Sequence, residues 1–143
     1  MLYSDQIKKA CNILFDAHRD DRDKGGYPYV FHPFYLATQM DDEASVCVAL
    51  LHDVIEDHGD HYSFESLAAD GFSDEVISAL RLLTHAKGTP YMDYVKALAE
   101  NPIARKVKMA DLRHNMDDTR TGGVKAPKYA LYQEALAYLL QYD

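Results

Sequence analysis

Four ionisable side chains, His52, Asp53, Glu56 and Asp57, fall together at the end of the apolar run Val46–Leu51. Packing does not explain them, because a buried charge is costly unless it is paired or bound to a cation. If the segment is helical, Glu56 lies four residues beyond His52 and Asp57 four beyond Asp53, so each pair shares a helix face. The imidazole and carboxylate of His52-Asp53 suit a metal ion, and Glu56-Asp57 would face the water that the metal activates. A plain acidic helix end would be misplaced there, since helix C-termini favour cations. A nearby cation removes that penalty.

Two more polar groups stand in apolar company. His32 follows Tyr29-Val30-Phe31 and precedes Pro33, a setting that suits a hydrogen-bonded core histidine or a ligand. Asp111 sits among Val107, Met109, Ala110, Leu112 and Met116, where an aspartate needs a partner or a cation. His32, His52, Asp53 and Asp111 together offer two imidazoles and two carboxylates. That mixture suits Mn²⁺, Fe²⁺ or Zn²⁺ better than Mg²⁺. It leaves positions open for water and a phosphate oxygen, with Glu56 expected to take the proton and Asp57 to orient or share it. Arg19, Arg22, Lys24, Lys108, Arg113 and Arg120 are candidates for a phosphate-binding rim, each with a solvated surface role as the alternative. Lys108 and Arg113 bracket Asp111, and one of them is expected to reach the pocket. His114 suits either a supporting or a simple structural role.

Helices must position these groups. Apolar residues recur at helical spacing through nearly every segment, and none alternates over a strand's length. The pattern predicts a helix from about Ser4 to His18, then a charged stretch and the Gly25-Gly26 break. Tyr27–Phe31 is expected to be extended and Pro33 to open a short helix to Met40. Asp41 or Asp42 would cap a central helix from Glu43 to about Asp57. Further helices are expected from a Ser63 cap to Ala69, from Asp74 to Thr84, from Pro90 to Glu100, from Pro102 to Thr119 and from Pro127 to Gln141. The fold expected is all-α, a single-domain bundle of roughly seven or eight helices.

Composition narrows the function classes. The chain has 143 residues, 48% of them hydrophobic and 27% charged, with a formal net charge of −8 at pH 7. One domain with a real core is expected at this length. The acidic balance argues against binding a nucleic-acid polymer, but not against a small phosphorylated substrate held by a metal and a local basic pocket. No apolar run approaches a membrane span and Met1–Lys9 lacks a signal layout, so a cytoplasmic protein is expected. Cys11 and Cys47 read as buried free thiols. A homo-oligomer is compatible with the tyrosine-rich last helix.

Three stretches carry a family resemblance: Tyr27-Pro28-Tyr29-Val30-Phe31-His32-Pro33, Ala49–Asp57, and Val107-Lys108-Met109-Ala110-Asp111-Leu112-Arg113-His114-Asn115. In this order they resemble the HD superfamily of metal-dependent phosphohydrolases. Within it they are similar to the (p)ppGpp hydrolase domain of RelA/SpoT enzymes and of the stand-alone small alarmone hydrolases (the metazoan SpoT homologue type). The resemblance spans about Ala17 to Arg120. It implies that residues 1–143 form an HD-type helical domain in which His32, His52, Asp53 and Asp111 ligate Mn²⁺. It implies that Glu56 and Asp57 activate the attacking water, that Asn115 contacts the nucleotide near the ribose and phosphates, that Lys24 lines the base pocket, and that Tyr29, in the family's P-Y motif, is a substrate-binding residue. The implied reaction removes the 3′-diphosphate as pyrophosphate. One departure bears on the substrate: Asp23 stands where the family has arginine before Lys24, which reverses the charge beside the base. Action on another nucleotide or phosphoester is therefore the first alternative, and a non-catalytic nucleotide-binding sensor the second.

Overall fold

In a computed structural model, which describes residues 2–142, the described residues form nine α-helices and one 3₁₀ segment. They are α1 (Asp5–His18), α2 (Phe31–Thr38), α3 (Glu43–Leu51), α4 (Val54–His58), α5 (Phe64–Ala69), α6 (Asp74–Leu83), α7 (Tyr91–Leu98), α8 (Pro102–Asn115) and α9 (Tyr129–Leu140), with the 3₁₀ turn Asp118–Thr121 before α9. The described residues hold no strand, only an isolated bridge between Arg22 and Pro28. The all-α expectation therefore holds. Met1 and Asp143, the ends of the expected single domain, lie outside the described residues.

Helix α3 is the hub. Ser45 through Leu51 are all buried, and the helix packs against α1, α2, α6 and α8. Each Val or Leu it buries contributes about 1.5–3 kcal/mol of transfer free energy. Local signals fix where the helices start. Ser4, Asp42, Ser63, Ser73 and Asn101 each accept a backbone N–H of the first turn of α1, α3, α5, α6 and α8. Such caps are worth about 1 kcal/mol apiece.

Several boundaries differ from the sequence pattern. The expected helix Glu43–Asp57 breaks at His52-Asp53, giving α3 and α4. Asp53 takes φ −109° and ψ 1°, the bridge region between helix and strand. Tyr27–Phe31 is not extended throughout, because Val30 is already helical and Phe31 opens α2. Pro33 is tolerated inside α2 because first-turn N–H groups have no helical acceptor to lose. Helix α8 ends at Asn115 rather than Thr119, and α9 starts at Tyr129 rather than Pro127.

Cys11 is half-buried, Cys47 is buried, and both are free thiols. Among the described residues no helix is long and apolar enough to cross a membrane.

Candidate metal centre and its cavity

Helices α2, α3 and α8 meet where His32, His52 and Asp111 converge, all three buried. The break after α3 positions His52. Its Nδ1 lies 2.7 Å from the carbonyl of Ala49, an acceptor that fixes the proton on Nδ1 and leaves the Nε2 lone pair free. That Nε2 is buried and has no hydrogen-bond partner. It lies 3.2 Å from Asp53 Oδ2 and 3.6 Å from Asp111 Oδ1. His32 Nε2 is 2.8 Å from the same Asp111 oxygen. One ligating atom each from His32, His52 and Asp53 lies within 4.8 Å of the others. An orphaned, buried imidazole nitrogen aimed at two carboxylates is what a divalent metal would satisfy. His32, His52, Asp53 and Asp111 therefore fit the ion that the motif resemblance implies.

The carboxylates are held ionised. Burial alone would raise the Asp111 pKa. The Lys108 ammonium, His32 and His52 outweigh it and hold the group well below the usual carboxylate range. Asp53 is likewise opposed by burial but brought down to about 2, chiefly by the His52 charge. Burial works against the charged form of His52 as well, yet Asp53 and Asp111 hold its pKa well above the ordinary value. The two carboxylates thus carry the negative charge that a cation would neutralise, and a metal bound there would displace the proton that they hold on His52.

Each ligand is itself supported. Lys108 Nζ donates to Asp111 Oδ2 at 2.9 Å and sits over the rings of Tyr91 and Tyr94, 5.3 and 5.2 Å from their centroids. Asn115 Nδ2 donates to Asp111 Oδ1 at 3.1 Å. The Tyr29 hydroxyl donates to Asp53 Oδ2. His114 Nδ1 faces His32 Nδ1 at 2.7 Å, with the two rings stacked 5.0 Å apart and Tyr35 on the outer face of His114 at 4.3 Å. Ligation through His32 Nε2 requires the proton on its Nδ1, with His114 accepting it. Desolvation, then Arg120 and His32, push the His114 pKa down to about 4, so at neutral pH it is free to accept.

A cavity of about 380 Å³ opens over this floor, lined among others by Tyr29, Glu56, His85, Lys108, Asn115 and Lys128. Glu56 Oε1 accepts the backbone N–H of His85 at 2.8 Å, which ties α4 to the loop between α6 and α7. His85 continues that tie, with Nε2 2.6 Å from the carbonyl of Thr89 and its ring stacked on Tyr94. Asp57 is exposed and does not line this cavity. Partial desolvation, Asp53 and Glu56 raise its pKa to about 6.

A neighbouring cavity of about 550 Å³ shares Tyr29 and Asn115 with the first and adds Lys24, Asp23, Arg120 and Lys125. Lys24, Tyr29 and Asn115 thus line one cavity. Asp23 turns its carboxylate onto its own loop. Oδ1 accepts the N–H groups of Gly25 and Tyr27, both at 2.9 Å, and Oδ2 lies 3.8 Å from Arg120 Nη2.

Two expected rim residues are not brought in. Arg19 is exposed and paired with Asp16 at 3.1 Å. Arg113 faces a separate groove with Met116 and Tyr129. Lys108 is the residue beside Asp111 that reaches the pocket. Lys128 and Tyr132, which also line the first cavity, carry no sequence signal that sets them apart from surface or core residues.

No family model matches the chain. It is 30% identical over 128 residues to the GTP pyrophosphokinase of Streptomyces coelicolor (strain ATCC BAA-471 / A3(2) / M145), covering 80% of this chain and 15% of that protein. It is 32% identical over 130 residues to the bifunctional (p)ppGpp synthase/hydrolase SpoT of Escherichia coli (strain K12), covering 80% of this chain and 18% of that one. The chain therefore spans less than a fifth of the length of these curated relatives. Among solved structures it is similar to a metazoan ortholog of SpoT that hydrolyses ppGpp. The TM-score there is 0.73 at 24% identity, over 99% of this chain and 87% of that one. That likeness gives the fold, and the sequence matches give the kinship. By its sequence matches the chain resembles the RelA/SpoT-type proteins to which its three motifs point.

Proposed function

We propose that the chain is a metal-dependent phosphohydrolase that removes pyrophosphate from the 3′ position of a guanosine alarmone, with Mn²⁺ as the metal. The observation that carries the metal half of this reading is the buried, unpartnered His52 Nε2 aimed at Asp53 and Asp111. The substrate half rests on the relatives, whose names include guanosine-3′,5′-bis(diphosphate) 3′-pyrophosphohydrolase.

A divalent ion held by His32, His52, Asp53 and Asp111 would polarise a phosphoryl oxygen and lower the pKa of a coordinated water. Lys108, buried with Asp111, and Lys128 supply positive charge on the cavity wall for a phosphate group. Glu56 lines the same cavity and stands as the proton acceptor for the attacking water. Asp57, which lies outside the cavity with its carboxyl raised to about 6, would assist only through Glu56. Lys24, Tyr29 and Asn115 would hold the nucleoside in the adjoining cavity.

The test is a substrate panel with Mn²⁺-loaded protein. Pyrophosphate released from ppGpp, and lost in Glu56→Ala, is the expected result. Phosphate released from deoxynucleoside monophosphates with no pyrophosphate from ppGpp would move the protein to the wider phosphoester class. Turnover unchanged in both Glu56→Ala and Asp53→Ala would refute the mechanism for any substrate.

A further inference from the structure

We propose that His18, Asp21 and His58 form a second divalent-metal site that takes a borderline transition ion such as Zn²⁺, separate from the four-residue centre. The three residues come from the end of α1, the turn after it, and the end of α4. His18 Nδ1 lies 2.8 Å from Asp21 Oδ2, and His58 Nε2 lies 2.6 Å from the same oxygen. Their ligating atoms all fall within 4.8 Å of one another. The imidazole rings meet edge-on at 78°, so the two nitrogens approach the shared point from different directions.

Charge and access favour an ion. Asp21 has no Lys or Arg partner among the described residues. Arg19 is spent on Asp16 and Arg22 on the carbonyl of Gly26. Asp57 and Asp53 add negative potential nearby. His18 is 1% exposed while His58 and Asp21 are 23% and 34% exposed, which gives a fixed floor with an open mouth. Zinc at roughly 2.0–2.2 Å from each ligand needs neighbouring ligand atoms roughly 3.3 Å apart. The observed separations must open by roughly half an ångström, a small rotation for two partly exposed side chains. Two imidazoles with one carboxylate leave a fourth position for water, and the donor set disfavours Mg²⁺ and Ca²⁺.

The Tyr29 ring lies against both centres, 4.9 Å from His18 and 5.7 Å from His32. An ion at His18, Asp21 and His58 would tie the end of α1 to α4, the short helix that carries Glu56 and Asp57.

The site stands independently of the alarmone reading and is tested without turnover. Metal-stripped full-length protein is titrated with Zn²⁺ and Co²⁺, with bound metal counted by elemental analysis, alongside His58→Ala, His58→Cys and His52→Ala. His58 is chosen because it is partly exposed, and circular dichroism checks that each variant folds. The wild type is expected to bind one more equivalent than His58→Ala, and that equivalent is expected to persist in His52→Ala. With Co²⁺, His58→Cys should gain a thiolate-to-cobalt charge-transfer band in the near ultraviolet. Equal metal content in wild type and His58→Ala, with no such band in His58→Cys, would overturn the proposal and leave a hydrogen-bonded His–Asp–His triad. If the only bound equivalent disappears in His58→Ala and survives in His52→Ala, this site stands and the four-residue centre fails.

Discussion

The floor of the cavity and its nucleotide-side flank are built in opposite ways. His32, His52 and Asp111 are buried, project from helices that pack on one another, and are each held by a partner. Asp23, Lys24 and Lys125 come from connecting loops, where all but the half-buried Asp23 are exposed. Gly26, Gly122 and Gly123, with φ of 86°, 65° and 89°, let those loops turn as a side-chain-bearing residue would not. A reaction centre anchored in the core resists change, whereas loops tolerate it. Asp23, standing where an arginine is expected, is a change of the tolerated kind.

If that contrast is right, damage to the floor should be severe and damage to the flank mild. Removing a ligand by His52→Ala should lower Mn²⁺-dependent turnover by at least about 10³-fold, read as kcat/KM. Lys108→Met leaves Asp111 with its nearest positive partner gone, and breaking such a buried pair costs about 3 kcal/mol. Chemical denaturation of the metal-stripped variant would measure it. A cost below about 1 kcal/mol would show the pair to be a surface-like one. His114→Ala removes the acceptor that orients His32, and losing such a partner weakens metal affinity by about 10–100-fold. An unchanged Mn²⁺ titration would remove His114 from the site.

The flank should respond less. Asp23→Ala frees Arg120 and loosens a loop, so KM should shift by less than about 10-fold with kcat held. An equal fall in kcat and kcat/KM would instead put Asp23 in the transition state. Asp57 sits between floor and solvent. Its folded pKa of about 6 exceeds the ordinary 3.8. The stability linked to this group is therefore fully present below pH 3.8 and lost as pH rises through about 6. Asp57→Asn should then stabilise the metal-free protein at pH 7 by about 1 kcal/mol, after allowing for solvent screening. No gain between pH 5 and 8 would show that the carboxyl is unstrained.

The same contrast explains what the sequence made legible. His32, His52, Asp53 and Asp111 stood out because ionisable groups in apolar runs need a reason to be there. Helical phase also sorts the residues around Asp111. Lys108, three before it, and His114 and Asn115, three and four after, share its face. Arg113 lies about 200° round the helix and could have been set aside on that ground. The break at His52-Asp53 was hidden because the apolar pattern of α3 runs into α4 without a glycine or proline. Lys128 and Tyr132 were hidden because α9 packing, a tertiary event, brings them over the cavity. His58 pairs with Asp21 across 37 positions, and no local pattern announces such a pair.

The central claim is that His32, His52, Asp53 and Asp111 hold the metal that drives pyrophosphate release. Chelator-stripped protein, assayed on ppGpp before and after Mn²⁺ is restored, tests it most directly, with Asp53→Ala carried through the same cycle. The account predicts no release from the stripped protein, full recovery of the wild type with Mn²⁺, and no recovery of Asp53→Ala. Equal release from stripped and reconstituted protein, or restoration of Asp53→Ala to the wild-type rate, would contradict it.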